Sequence, residues 1–331
     1  MPSISLAAAA AMPAPSIGIE AAAYVLPGDP IDVRDWARTC PADPARVAST
    51  IDAGSRFFHV APAGSEAGLA ATAVDRLLDQ TRLLPTAVDL VVHVHTMATG
   101  APPTLRSLPH ELAASFGMRP RWCGSIAQLG CVSIAAGLRA VAALLRVHPG
   151  AETALVVSAD RLCDERSRLR GAAGVQSDGS ACLLVRRDSP ANRVGAIAIS
   201  SHARWFGSSD RFDHVAREMI SLEWRFTREV VDAACAASGW PAGRFAQFLP
   251  QNFKRPGWQQ LCEAIGLPRD RLFERNILRC GHACCSDLAI NLADAGLATV
   301  RGGGGLLVGL HSNVGAFAAL TLLPSTGEAP P

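Results

Sequence analysis

The chain has 331 residues, of which 49% are hydrophobic and 18% charged, and its formal net charge is +2. A chain of this length buries roughly three quarters of its unfolded surface, which excludes a fibrous or disordered protein and suits one large domain or two fused ones. The near-neutral balance excludes a strongly basic nucleic-acid binder, and no run of eighteen apolar residues free of charge and proline marks a membrane span.

Residues 1–16 carry small apolar side chains without a basic segment and read as a loose tail rather than a signal peptide. An amphipathic helix is expected over 67–80, with Leu69, Ala73, Leu77 and Leu78 on one side, and a buried strand over 88–95. Residues 133–145 read as an Ala- and Leu-rich helix, and 153–158 and 181–185 as strands. The polar segment 186–193, with its Ser-Pro turn signal, separates this series from a second one. The second series predicts a strand over 194–200, a long helix over 215–238 and a strand over 245–249. Helices over 258–265 and 286–297 and strands over 304–310 and 315–322 complete it. Strands alternating with helices define α/β layering in two halves, 17–188 and 189–331. His93 and His95 share one face of their strand and read as structural or dimer-facing.

The chain is too long for its ten cysteines to form a disulfide scaffold. Cys182, Cys235 and Cys262 lie in apolar runs as small hydrophobes, so a reducing, cytoplasmic setting is expected. Cys131 differs. It follows Gly130 and opens a helix-forming run, where the positive end of the helix dipole lowers a thiol pKa and sharpens a nucleophile. Backbone amides at such a turn also suit a developing oxyanion. The alternative is a buried structural cysteine at a strand–helix junction. The cluster Cys280-Gly281-His282-Ala283-Cys284-Cys285 offers one zinc-like Cys interval but no second pair, and no metal is expected. The run Gly302 to Gly305 lacks a following G-K-[ST] and reads as a turn between strands.

From about residue 17 to 323 the chain resembles the ketoacyl-acyl-carrier-protein synthase III branch of the thiolase superfamily. Residues 18–27 resemble its opening strand, 54–61 the segment lining the coenzyme A entrance, and Gly130-Cys131 the nucleophile turn. Ser177-Asp178-Gly179-Ser180-Ala181 resembles the D-G-A start of the strand that follows, and 302–309 the C-terminal Gly-rich loop. The resemblance implies a thiolase-like five-layer α-β-α-β-α fold, a homodimer, and an acyl thioester on Cys131. It implies no cofactor: an acyl-CoA or a phosphopantetheinyl acyl carrier protein is the substrate, with a small-molecule acceptor and no nucleic-acid or membrane partner.

Two positions depart from the condensing members of that branch, which use a His in an H-Q-A-N motif and an Asn in a G-N motif. Here Gln251 stands in place of the His, in Leu249-Pro250-Gln251-Asn252-Phe253, and His282 in place of the Asn. Gln takes no proton near neutral pH, whereas His does. Decarboxylation needs donors on a thioester carbonyl, but transfer to an alcohol, amine or thiol needs a general base. His282 supplies one, and Asp287 nearby in sequence is placed to hold its tautomer. The set Cys131, His282 and Asp287 is similar to that of acyltransferase offshoots of the branch that act in natural-product, polyketide-type assembly. Acyl transfer is therefore preferred over carbon–carbon condensation, with a non-catalytic acyl-binding subunit as a third reading. His202 is a second candidate catalytic residue. His311, Gln251 and Asn252 are pocket candidates beside Asn313, and Gly303, Gly304 and Gly305 are assigned to the oxyanion loop. Arg56, Lys254 and Arg255 are candidate contacts for coenzyme A or a carrier protein.

Overall fold

The computed structural model describes residues 17–40, 42–96, 107–205, 213–312 and 314–324; the proposed tail 1–16 and Asn313 lie outside them. The first-half strands are β1 (Ile17–Val25), β2 (Ile31–Asp32), β3 (Phe57–Phe58), β4 (Leu90–Val94), β5 (Trp122–Ile126), β6 (Thr153–Asp160) and β7 (Gly179–Arg187). The second-half strands are β8 (Arg193–Ser201), β9 (Gln247–Leu249), β10 (Leu306–Ser312) and β11 (Ala316–Leu323). Among the described residues nine strands hydrogen-bond in the order β5-β4-β6-β7-β1-β8-β11-β10-β9, and β2 pairs with β3 apart from them. β4 runs parallel to β5 and β6, and β9 parallel to β10; the other pairings are antiparallel. The two halves touch edge to edge where Gly18 pairs with Arg193. A Cβ at Gly18 would sit 2.4 Å from the Ala191 carbonyl oxygen, so only glycine admits that approach.

Strand alternation sorts side chains into layers. On β7, Ala181, Leu183 and Val185 join the central core, while Cys182 and Leu184 face the opposite way. On β11, Ala316, Ala318 and Leu320 enter that same central core, while Phe317 and Ala319 face outward. The central core is filled by the helix Ser133–Val147, through Ile134, Leu138 and Val141, and by the run 287–301, through Leu288, Leu292 and Val300. Helices Glu66–Thr81 and Leu108–Ser115 cover the outer face of the first half, and Asp213–Ser238 and Arg255–Ala264 that of the second. The succession helix, sheet, helix, sheet, helix is the expected five-layer α-β-α-β-α arrangement. Gly130–Val147 is apolar enough by composition to cross a bilayer, yet 61% of it is buried in the protein's own centre.

Most expected elements are present with bounds shifted by a few residues. The run expected as one helix over 286–297 is instead Asp287–Asn291, a five-residue π turn Leu292–Gly296 and Leu297–Arg301. The π turn carries Asp294, which accepts from Tyr24 Oη at 2.8 Å, Asn276 Nδ2 at 2.9 Å and Arg279 at 2.7 Å. Local widening of this kind often marks a functional stretch of helix. His93 is buried, its Nδ1 lies 3.1 Å from Ser125 Oγ, and its ring stacks on His95 at 4.9 Å. Burial, with the neighbouring His95 adding to it, pushes the His93 imidazole down to about 3.

Candidate active site

Parallel strands in open α/β sheets present ligands at their carboxyl ends. Thr96 follows β4, Cys131 follows β5, Asp160 ends β6, Asn252 follows β9 and Ser312 ends β10. These residues converge on one place.

Cys131 occupies the 3-10 turn Gly130–Val132 ahead of the helix Ser133–Val147. Gly130 has φ +56°, and a Cβ there would lie 2.8 Å from Ser312 Cβ, so the turn requires glycine to bring the thiol against the end of β10. His282 follows Gly281, whose φ of +62° ends the helix Arg275–Cys280. The His282 backbone is clamped: its N–H donates to Val175 O at 2.9 Å and its carbonyl accepts from Ser177 N at 2.8 Å.

The three side chains form a hydrogen-bonded line. Cys131 Sγ lies 3.0 Å from His282 Nε2, and His282 Nδ1 lies 2.5 Å from Asp287 Oδ2. All three residues are buried, with Cys131 and His282 each 5% exposed. Asp287 is itself held: it accepts from Ala283 N at 2.7 Å, Asn252 N at 2.8 Å and Asn252 Nδ2 at 3.2 Å. Asn252 is fixed in turn by Asn291 Nδ2, which donates to its Oδ1 at 3.0 Å. Phe253 covers the imidazole at 4.5 Å between ring centroids. On the far side, Asp160 accepts from Thr96 N at 2.7 Å and Cys285 N at 3.0 Å, and Thr96 Oγ1 lies 3.6 Å from Cys131 Sγ.

The electrostatics set the resting protonation. Burial alone would lower the His282 pKa, but the charge and hydrogen bond of Asp287 outweigh it and hold the imidazole above its ordinary value. For Cys131, a hydrogen bond from the Cys284 thiol favours the thiolate. Burial, the Cys285 thiol and the Asp160 carboxylate outweigh it and push the Cys131 thiol up. This reverses the sequence expectation of a thiol lowered by the helix dipole, because desolvation and a buried carboxylate dominate here. Such a thiol needs a base at the moment of attack, and His282 Nε2 lies 3.0 Å from it.

Several candidate residues lie elsewhere or are otherwise engaged. Gly303, Gly304 and Gly305 precede β10, at the end opposite Ser312, where Gly304 packs on Ala246 and Gly305 on Trp240 and Phe245. With seven residues of strand intervening, roughly 3.3 Å each, they cannot form an oxyanion loop for Cys131. The turn that does meet the nucleophile follows β10, where Ser312 and Val314 abut Gly130. His202 takes no part in the line of bonds. Its Nε2 lies 2.9 Å from Ser200 Oγ, and its ring packs on Trp205 and Phe226 at 5.0 and 4.4 Å. His311 is fully enclosed among Phe253, Trp258 and Trp224, and burial pushes its imidazole well below the ordinary value. Gln251 Oε1 accepts from His311 N at 2.8 Å, while Gln251 Nε2 and His311 Nε2 are buried without a protein partner. Arg56 pairs with Asp32 at 2.8 Å, Lys254 with Glu223 at 2.5 Å and Arg255 with Glu274 at 2.5 Å, so each cation already has an internal carboxylate. Sequence reasoning missed Thr96 and Asp160, which are signalled only by their place at strand ends; it met Cys284 only in the zinc-like interval with Cys280, not beside Cys131.

No family model and no curated protein matches the sequence. Solved structures match closely in shape. The acyltransferase ChlB3 is 20% identical with a TM-score of 0.79, over 94% of this chain and 99% of that one. The 3-oxoacyl-[acyl-carrier-protein] synthase III of Aquifex aeolicus VF5 is 16% identical with a TM-score of 0.78, over 93% and 99%. AbyA1, a tetronic acid condensing enzyme, is 21% identical with a TM-score of 0.71, over 93% and 99%. The fold is therefore the thiolase-like one of the ketoacyl synthase III enzymes.

Proposed function

We propose that the protein is an acyltransferase that carries an acyl group on Cys131. The observation behind this reading is the line from Cys131 Sγ to His282 Nε2, 3.0 Å, and from His282 Nδ1 to Asp287, 2.5 Å. An acyl thioester of coenzyme A or of a carrier protein is the donor. His282 takes the thiol proton as Sγ attacks the thioester carbonyl, and Asp287 stabilises the imidazolium that forms. The imidazolium returns its proton to the departing thiol, leaving acyl-Cys131 and a neutral base. His282 then deprotonates an alcohol, amine or thiol acceptor as it attacks the acyl group, and the Cys131 thiolate leaves and is reprotonated. The Cys131 amide, in the first turn of a helical run and so lacking an intrahelical acceptor, is the oxyanion donor we assign.

The second reading, decarboxylative condensation, is favoured by one observation. Gln251 Nε2 is a buried donor without a protein partner, which suits an enolate oxygen. A pairing of imidazole with carboxylate serves proton transfer better than simple donation, and that supports acyl transfer. Carboxyl-labelled malonyl-CoA offered with a panel of alcohols, amines and thiols tests it. The expected result is an ester, amide or thioester that keeps the label. Label released as carbon dioxide together with a new carbon–carbon bond would overturn the reading in favour of condensation.

A further inference from the structure

Cys284 lies beside the nucleophile, donates a hydrogen bond toward it, and transfers no proton or acyl group in the scheme above. It is held with φ +54°, a left-handed conformation uncommon for a residue with a Cβ. Its thiol is fully buried. The ligand atoms of Cys131, His282 and Cys284 all lie within 4.8 Å of one another. We propose that Cys131 Sγ, His282 Nε2 and Cys284 Sγ form a three-coordinate binding site for a soft d¹⁰ cation, zinc(II) first, whose occupation shuts down acyl loading.

The donor set fits. Two sulfurs and one imidazole nitrogen, with a fourth position for water, is a known way of holding zinc with one open site. The nitrogen facing the sulfurs is Nε2, because Nδ1 is engaged by Asp287 at 2.5 Å. A carboxylate on the other ring nitrogen is the outer-shell partner that orients and strengthens a histidine ligand. Asp287 is immobilised by Ala283 and Asn252, so the imidazole is fixed before any metal arrives. Loading replaces two thiol protons by one divalent cation: Zn²⁺ plus two R–SH gives the dithiolate complex and two H⁺, with no change of oxidation state. The complex, two thiolates and a neutral imidazole on Zn²⁺, carries no net charge, which suits a buried place. Cys280 and Cys285 are not part of the group. Cys280 Sγ donates to Asn276 O at 3.3 Å, and Cys285 Sγ contacts Gly130 O at 3.6 Å.

Occupation would remove both reacting partners at once, since the metal takes the lone pair of the nucleophile and that of the base. This consequence rests on the acyl-transfer reading; the binding itself does not. Cys284→Gly separates the two. Glycine accepts φ +54° without strain, and the change removes one proposed ligand while keeping the side chains of Cys131, His282 and Asp287.

The experiment titrates the full-length wild type and Cys284→Gly with zinc against a chromophoric chelator, and with cobalt(II) as a spectroscopic probe. In wild type one equivalent is expected to bind, release two protons and give the thiolate charge-transfer and tetrahedral d–d bands of a sulfur-ligated cobalt site. The same equivalent should block acyl loading until a chelator removes it. Cys284→Gly should lose zinc affinity by more than the ~10–100-fold that an outer-shell loss costs, and the acyl loading it retains should no longer be blocked by one equivalent of zinc. Failure of wild type to bind, or equal binding by Cys284→Gly, would overturn the site. Metal binding that depends on Cys284 in a protein that accepts no acyl group would keep the site and remove the acyltransferase reading instead.

Discussion

His282→Ala is expected to lower acyl transfer by on the order of 10²–10⁴-fold, the usual contribution of a positioned acid–base group. The size follows from the environment of the sulfur. The Cys131 thiol is buried beside Asp160 and Cys285, which push it up and keep it protonated at neutral pH. Thr96 and Cys284 donate toward it but accept no proton from it. His282 Nε2, at 3.0 Å, is in hydrogen-bond contact with the sulfur and basic enough to take the proton. His282→Gln, which keeps more of the volume under Phe253, should be as slow as the alanine variant, because an amide is no base. Single-turnover release of free coenzyme A measures the step, and thermal melting establishes that both variants are folded. Loss of less than tenfold in the folded variants would remove His282 from the chemistry.

Asp287→Asn is expected to reduce turnover by on the order of 10⁴-fold, the scale of effect when the carboxylate of such a triad becomes an amide. It should also shift the acid side of the pH–rate profile in a direction fixed by sign. Burial lowers the His282 pKa and Asp287 more than restores it, so the folded value lies above the ordinary one. The base works only when neutral, and wild-type activity therefore falls as the pH drops through that raised value. Without the carboxylate, burial is opposed only by the weaker pulls of Cys284 and Asp160, and the imidazole falls from its raised value. The acid limb should move to lower pH while the plateau collapses. The substituted side chain would also offer one acceptor oxygen fewer to the Ala283 and Asn252 amides, so part of the loss reflects a displaced ring. A limb that stays in place, or moves to higher pH, contradicts the pairing of His282 with Asp287.

Much of the layering was legible because buried strands and amphipathic helices leave distinct periods. The helix over 67–80 is Glu66–Thr81, and the strand over 153–158 is Thr153–Asp160. Four short helices among the described residues went unread although caps announce two of them: Asp32 bonds Arg34 N ahead of Val33–Thr39, and Asp43 bonds Ala45 N ahead of Pro44–Asp52. The other two, Leu108–Ser115 and Arg275–Cys280, have no side-chain cap bond to announce them. β5 was missed because Trp122–Ile126 is half-buried at a sheet edge and shows no clean alternation. The Gly302–Gly305 run was misplaced for a different reason. Glycine density marks a tight turn but not which end of a strand faces the nucleophile, and the turn against Cys131 lies after Ser312. Of the site, Cys131 was marked by its place ahead of a helical run together with the family resemblance, His282 by its position in the family's G-N motif, and Asp287 by its spacing from His282. Thr96 and Asp160 were not, because their role comes from separate chain segments meeting, which no local pattern encodes.

The most direct test is intact-mass measurement of the wild type and Cys131→Ala after mixing with a panel of acyl-coenzyme A and acyl-phosphopantetheine thioesters. Wild type is expected to gain the mass of one acyl group from at least one donor and to lose it when an acceptor is added, while Cys131→Ala gains none. No gain by wild type from any donor, or an equal gain by Cys131→Ala, would contradict a covalent acyl group on Cys131.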